Sequence, residues 1–278
     1  MILYFILLCS VHGAMYMEQQ DKHFLETHPI EFSHVDIDDV KSIVHDEYRK
    51  MSMQCILPNA NIEIIYDDTL IGSSVLAWAS QNMKLIDGVW KPSVFADVTT
   101  RHFTIAVNPS PPNGWFIDDC KYIYHQYDLR TVIRHELLHG IGLGSSITFD
   151  NGWTSGVETS GFCFPRMYDT FIVDQDGNNI LNGCQIVDIS NKKLYIGDVE
   201  LYHPDTFRPG SSLSHHNYPG YLFYYKSTHS KCMGISKYEA SMLRHFQVHC
   251  SVSAGRKSKI SPILLYFLIL RILVSVYL

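Results

Sequence analysis

The chain is short of positive charge: 22 Lys and Arg stand against 28 Asp and Glu, a formal net charge of −6 over 278 residues. No general electrostatic attraction draws it to a phosphate backbone, so nucleic acid is excluded as an expected partner. It also lacks an Asn-x-Ser/Thr acceptor, because Asn108 is followed by proline, which removes N-linked glycan from consideration. Internal repeats and low-complexity linkers are missing too, which excludes solenoids and beaded arrays. One compact domain from about residue 35 to 250 is the simplest division. Charged residues make up only 18 % against 46 % hydrophobic, a globular composition rather than a disordered one.

What the chain does have begins at its ends. "MILYFILLCSVHGA" is an apolar run closed by small residues; it reads as a secretory signal over residues 1–14, although a basic leading segment is missing. It is too short to span a bilayer. "SPILLYFLILRILVSVYL" closes the chain, broken once by Arg271 and preceded by Arg256, Lys257 and Lys259. Those cations would lie on the luminal side of a single-pass helix, the wrong side for the positive-inside rule. A GPI-attachment signal fits better, with Ser251, Ser253, Ala254 and Gly255 as the attachment region; a plain transmembrane tail is the alternative. The expected division is therefore a signal at 1–14, an N-terminal segment at 15–50 with room for a short propeptide, a folded domain at 51–250, and a membrane-attachment segment at 251–278. Seven cysteines become six once Cys9 leaves with the signal. Six allow three disulfides in fifteen connectivities, and the even number agrees with an exported, cell-surface protein.

Apolar spacing predicts a helix in "HVDIDDVKSIVHDEYRKM" and another in "SSVLAWASQNMKLI", with strands in "NIEIIYDD" and "HFTIAVN". "YDLRTVIRHELLHGIG" reads as a helix with Asp128 as N-cap. Val132, Leu137, Leu138 and Ile141 form its core face, and Gly140, Gly142 and Gly144 end it. "KYEASMLRHFQVHC" reads as a C-terminal helix with His245 and His249 on its surface, "VDQDGNN" as a turn rather than a calcium loop, and "YHQYD" as an aromatic strand or loop edge.

Within the "RHELLHGIG" helix, His135 and His139 are four apart, so their imidazoles lie one turn above each other and aim at a common point. Glu136 is rotated about a third of a turn away, placed to handle a proton rather than to bind a metal. Two histidines and a glutamate in a mostly apolar helix are otherwise costly to bury. A catalytic zinc needs a third protein ligand and leaves its fourth position to water. The metzincin spacing H-E-x-x-H-x-x-G-x-x-H puts Ser145 where that ligand should be, and serine is a poor one. The third ligand is therefore sought downstream: Glu158 is the nearest carboxylate, Asp169 a later one, and "FRPGSSLSHHNYPG" offers His215 and His216.

Three segments, "DLRTVIRHELLHGIGLGSS", "YDTFIVDQDGNNIL" and "LYHPDTFRPGSSLSHHNYPGYLF", resemble a group of secreted, metzincin-like HExxH zinc metallopeptidases. Its members carry an H-E-x-x-H-G-x-G helix, a Y-D-x-F segment and a G-S-S-[LI]-S-H element. The resemblance spans roughly residues 100–250. It implies an α+β, zincin-like fold: a twisted sheet packed on an active-site helix, with a C-terminal helix and disulfides. It assigns the third zinc position to His215. The group shows a leucine and an acidic residue after that histidine, where this chain has His216 and Asn217, and commonly a methionine beneath the metal, where this chain offers Phe223.

The expectation that follows is a secreted or cell-surface zinc endopeptidase acting on a peptide or protein substrate, attached to the membrane through its C-terminal segment. His135, His139 and His215 would hold zinc with reactive nitrogens about 3 to 4 Å apart, Glu136 would be the general base, and Tyr218 or Tyr221 would steady the oxyanion. Two alternatives remain: a non-catalytic adhesion or receptor protein on the same scaffold, or a zinc hydrolase of a non-peptide amide or ester.

Overall fold

The computed structural model describes residues 35–96, 101–117, 126–149, 153–159, 162–226 and 233–252. The expected signal at 1–14, most of the tail at 251–278, Tyr122, Tyr124, Cys9, Cys120 and Cys232 lie outside them. No helix among the described residues is long and apolar enough to cross a membrane.

Helix α1 (Ile37–Gln54) begins where the Asp36 side chain accepts from the Asp38 N–H, and Asp38 and Asp39 occupy the first turn, the end where the helix dipole favours negative charge. Val40, Ile43, Val44, Glu47 and Met51 recur at helical spacing and form its buried face. The helix runs through residue 50, so the boundary expected there falls inside an element whose inner face belongs to the core.

Five strands follow: β1 (Asn61–Tyr66), β2 (Ala77–Gln81), β3 (Met83–Ile86), β4 (Val89–Pro92) and β5 (His102–Val107). β5 is central, parallel to β1 with Ile64 opposite Ile105, and antiparallel to β2 with Ala79 opposite Ile105. The helix expected over Ser73–Ile86 is corrected here to two strands. Ala, Leu, Met and Gln favour a helix in isolation, but Ala77–Gln81 completes the open edge of β5, with all but Trp78 buried. Pairing across a core outweighs the few tenths of a kcal/mol per residue that propensity supplies. Asp87 and Gly88, at φ 53° and 74°, then make the tight turn from β3 to β4. A two-residue hairpin of this kind requires positive φ at both positions.

Helix α2 (Leu129–Gly140) lies between this sheet and α1, packing on β2, β5 and α1. Asp128 caps it as expected, accepting from the Arg130 N–H at 3.0 Å and the Thr131 hydroxyl at 2.6 Å. The expected core face of Val132, Leu137, Leu138 and Ile141 is at most 1 % exposed. Gly140 is needed for close approach, since a Cβ there would stand 2.2 Å from the Phe103 ring of β5.

Beyond α2 the chain is mostly loop with strands of two or three residues. Cys163–Cys184 ties this part together, and Cys55–Cys250 joins the end of α1 to the chain beyond α3 (Lys237–Arg244). The architecture is mixed α+β with small sheets. "VDQDGNN" is the expected turn: Asp174 accepts from the N–H groups of Asp176 and Asn178, and the Lys192 ammonium sits 3.0 Å from its other oxygen. His245 caps α3 and is exposed, whereas His249 lies past its end rather than on it.

A buried carboxylate fastens α1 to α2. Glu47, at 0 % exposure, accepts from Arg130 Nη1 at 2.8 Å, Lys50 Nζ at 2.9 Å and Arg134 Nε, while Arg134 Nη1 also donates to the Met233 carbonyl at 2.8 Å. Burial alone would raise the Glu47 carboxyl, but hydrogen bonds from Arg134, Lys50 and Arg130 outweigh it and hold the group below its usual 4.5. A depressed folded pKa means the contribution is complete above pH 4.5 and is lost as the pH falls below it. Glu47→Gln should therefore lower stability at neutral pH by about 3 kcal/mol and flatten its acid dependence. Urea unfolding at pH 7 and pH 4 measures both; a variant as stable as the parent contradicts the clamp.

Candidate metal centre

The middle of α2 is where a metal ion could be held. His135 and His139 face the same side one turn apart, and their Nε2 atoms are 3.2 Å from each other. His215 arrives from the loop before α3, with its Nε2 at 3.1 Å from that of His135 and 3.2 Å from that of His139. All three rings are fully buried, and among the described residues they are the one cluster of this kind.

Each ring is held from behind. His135 Nδ1 is 2.8 Å from the Leu222 carbonyl, His139 Nδ1 is 2.6 Å from that of Leu143, and His215 Nδ1 is 2.9 Å from that of Ser211. A carbonyl oxygen can only accept, so each Nδ1 carries the proton and each Nε2 presents a lone pair. Protonation does not relieve the crowding of lone pairs. Burial drives His135 down to about 4 and His139 and His215 well below 6.5, with neighbouring imidazoles pushing the same way. Three neutral acceptors at this spacing suit a cation: nitrogens about 2.0–2.1 Å from one tetrahedral ion lie about 3.4 Å apart. Nitrogen donors of this type accept zinc, copper, iron or nickel.

Local sequence explains each placement. Gly142, at φ 130°, ends α2: its N–H reaches the His139 carbonyl, and the Leu143 N–H reaches that of Leu138. This glycine-dependent termination brings the Leu143 carbonyl back to His139. Ser145, where the metzincin spacing calls for a ligand, does not coordinate. Its N–H instead binds Ser214 Oγ at 3.1 Å, so the loop bearing His215 docks beside the vacant ligand position. Leu213 turns that loop with φ 64°, a left-handed conformation costly for a branched side chain. The turn is held by the Tyr168 hydroxyl on the Leu213 carbonyl at 2.9 Å and by the Tyr202 backbone on both Leu213 and His215.

The Y-D-x-F segment is thus structural. Tyr168 props the His215 loop, and Asp169 Oδ2 gathers the Ser146 N–H and the hydroxyls of Ser146 and Ser155 at 2.6 to 3.1 Å. Asp169 is fastened there, away from the three imidazoles. Glu158 lies in the short strand Val157–Thr159, and its side chain is outside the described part. The sequence held no sign that Leu222, Leu143 and Ser211 would supply the carbonyls, because backbone acceptors leave no residue signature.

Glu136 sits between the two α2 histidines at 0 % exposure, and both of its oxygens are without a hydrogen-bond partner among the described residues. Burial raises its carboxyl well above 4.5. Such a group is expensive unless a charge or a water answers it. Phe223 lies against all three imidazoles, with ring centroids 5.1, 4.8 and 5.1 Å from those of His135, His139 and His215. It occupies the floor where the resemblance led one to look for methionine.

His216 points away from the cluster, its Nε2 2.9 Å from Glu239 Oε1. Tyr218 is also elsewhere: its hydroxyl accepts from the Glu200 N–H at 3.3 Å and its ring stacks on Tyr238 at 4.0 Å. Tyr221, 40 % exposed, packs edge-on against Tyr238. Both rings pack on that of His216, the neighbour of His215, with centroids 5.5 and 6.4 Å away.

Comparison with protein-family models, curated proteins and solved structures finds no match to this chain. What it can do is read from its own residues. His215→Ala should reduce bound metal from one ion per chain to none retained through desalting, with helix content kept. Metal analysis beside circular dichroism checks this, and undiminished metal in the variant contradicts the three-histidine site.

Proposed function

We propose that this protein is a zinc-dependent endopeptidase of zincin-like fold, exported and displayed at the cell surface, acting on peptide or protein substrates. The observation that carries the reading is the convergence of three neutral imidazole acceptors, two of them on α2, together with Glu136 on the same helix, a fully buried carboxyl whose oxygens have no hydrogen-bond partner among the described residues. A core helix gains nothing from such a group, whereas peptide hydrolysis requires it. The sheet of β1, β5 and β2 lying against the helix that bears H-E-x-x-H supports the zincin-like part, and the two disulfides support an oxidising, extracellular setting. Membrane attachment through residues 251–278 belongs to the same proposal.

His135, His139 and His215 would hold the ion. When bound, zinc supplies a Lewis acid and brings the pKa of a water toward about 7. Glu136 receives the proton of the attacking water on a carboxylate oxygen and returns it to the leaving amine, which lets one group serve as base and then acid. The Nδ1–H bonds to Leu222, Leu143 and Ser211 fix the ring orientations, so no reorientation is needed as charge develops. The Phe223 ring keeps one side of the cluster dry, which strengthens electrostatic interactions within it.

One observation favours a second reading. His135, Glu136, His139 and His215 are all at 0 % exposure, as in a closed structural metal site, and a substrate must reach a catalytic one. A non-catalytic cell-surface protein stabilised by zinc would look the same from within.

Glu136→Gln separates the two. Under the endopeptidase reading the variant keeps stoichiometric zinc and loses about 100- to 10,000-fold in hydrolysis of a denatured protein substrate. Chelator abolishes the parent's activity, and added zinc restores it. A parent that binds zinc without any hydrolysis, or a variant as active as the parent, contradicts the enzyme reading. Release of the protein from cells by a phosphatidylinositol-specific phospholipase supports the lipid anchor; recovery of residues 263–278 on the mature protein contradicts it.

A further inference from the structure

The loop that delivers His215 is fastened to α3 by a buried acid–imidazole contact that the proposed reaction does not use. His216 and Glu239 are both at 0 % exposure. Glu239 Oε1 receives His216 Nε2 at 2.9 Å and the Phe223 N–H at 2.9 Å. Its Oε2 receives the Ser236 N–H at 2.7 Å and the Ser236 hydroxyl. One carboxylate therefore meets the first turn of α3 on one side and two points of the loop on the other.

Those two points flank the metal centre. His216 is the neighbour of His215, and Phe223 is the neighbour of Leu222, whose carbonyl holds His135 Nδ1 at 2.8 Å. Phe223 itself supplies the ring beneath all three imidazoles. A capping box explains only half of this arrangement. Its glutamate reaches back to the N-cap N–H, which here occupies Oε2; the work of Oε1 is directed wholly at the loop. Burial of the pair is tolerated because each Glu239 oxygen has two donors and the second ring nitrogen of His216 lies 3.3 Å from the Tyr218 N–H.

We propose that Glu239, acting through His216 and the Phe223 N–H, is a positioning residue of the metal centre, setting His215 and the Leu222 carbonyl where the three-nitrogen convergence needs them. The assignment rests on the reading of the three imidazoles as a zinc site.

The test uses the full chain and zinc alone, with affinity measured by competition against a chromogenic chelator at a temperature where the stripped protein is folded. Glu239→Gln and His216→Phe should each weaken zinc binding by about 10- to 100-fold, the usual effect of losing a group that orients a ligand. Ser236→Ala removes one donor to Glu239 Oε2 and keeps both Oε1 bonds to the loop; it should lower the thermal midpoint and change zinc affinity by no more than about 2-fold, far less than Glu239→Gln. Cobalt(II) in the site should show a shifted ligand-field spectrum in Glu239→Gln and the parent's spectrum in Ser236→Ala. If Glu239→Gln does not fold, His216→Phe, which leaves the Glu239 bonds to Phe223 and Ser236 in place, carries the test. Variants that melt earlier yet bind zinc and cobalt as the parent does would overturn the assignment and leave the zinc site standing. A parent that binds no zinc, or His215→Ala binding as tightly as the parent, would instead overturn the site and this assignment with it.

Discussion

Three lone pairs crowded into a dry interior are the constraint on which the rest of this structure depends. Each imidazole commits its Nδ1 proton to a backbone carbonyl, and the three unprotonated nitrogens stand 3.1 to 3.2 Å apart. In water that arrangement would relax by hydration or by protonation. Here burial blocks the first and opposes the second. Many specific contacts keep the three acceptors together, an arrangement that a bound cation would make favourable.

The surrounding elements can be understood as supports for that convergence. Gly140 lets α2 lie directly on Phe103 of β5, which sets the depth of His135 and His139. Glu47 holds the other face of the helix through Arg130, Arg134 and Lys50. Gly142 turns the chain so that Leu143 returns to His139, while Tyr168 and the strained Leu213 turn the distant loop so that His215 enters. These ties come from segments far apart in sequence.

The helix part of the site was legible in the sequence because it is local. H-E-x-x-H at a spacing of four, an Asp at the cap and glycines at the end are all short-range signals, and Asp128, His135, His139 and Gly142 do what their positions suggest. His215 needed a resemblance in addition, since nothing in "SSLSHHNYPG" by itself separates His215 from His216; the distinction is made by Glu239, more than twenty residues away. Ser73–Ile86 misled because its composition suits a helix while its place is decided by the edge of β5, and the Asp87–Gly88 turn just beyond it was the local clue to strands. Tyr218 and Tyr221 were chosen by proximity in sequence to His215; among the described residues their ring contacts are with His216 and Tyr238. Whether the domain is a peptidase lies beyond what pattern alone conveys, because a closed metal site and a catalytic one share the same three nitrogens.

The most direct measurement is X-ray absorption at the zinc edge on the purified full-length protein as it is isolated. The proposed zinc site predicts one zinc per chain with a shell of nitrogen or oxygen at about 2.0–2.1 Å, three imidazole signatures and no sulfur. A protein isolated without zinc, a shell containing sulfur, or only two imidazoles would contradict the convergence of His135, His139 and His215 on a single ion.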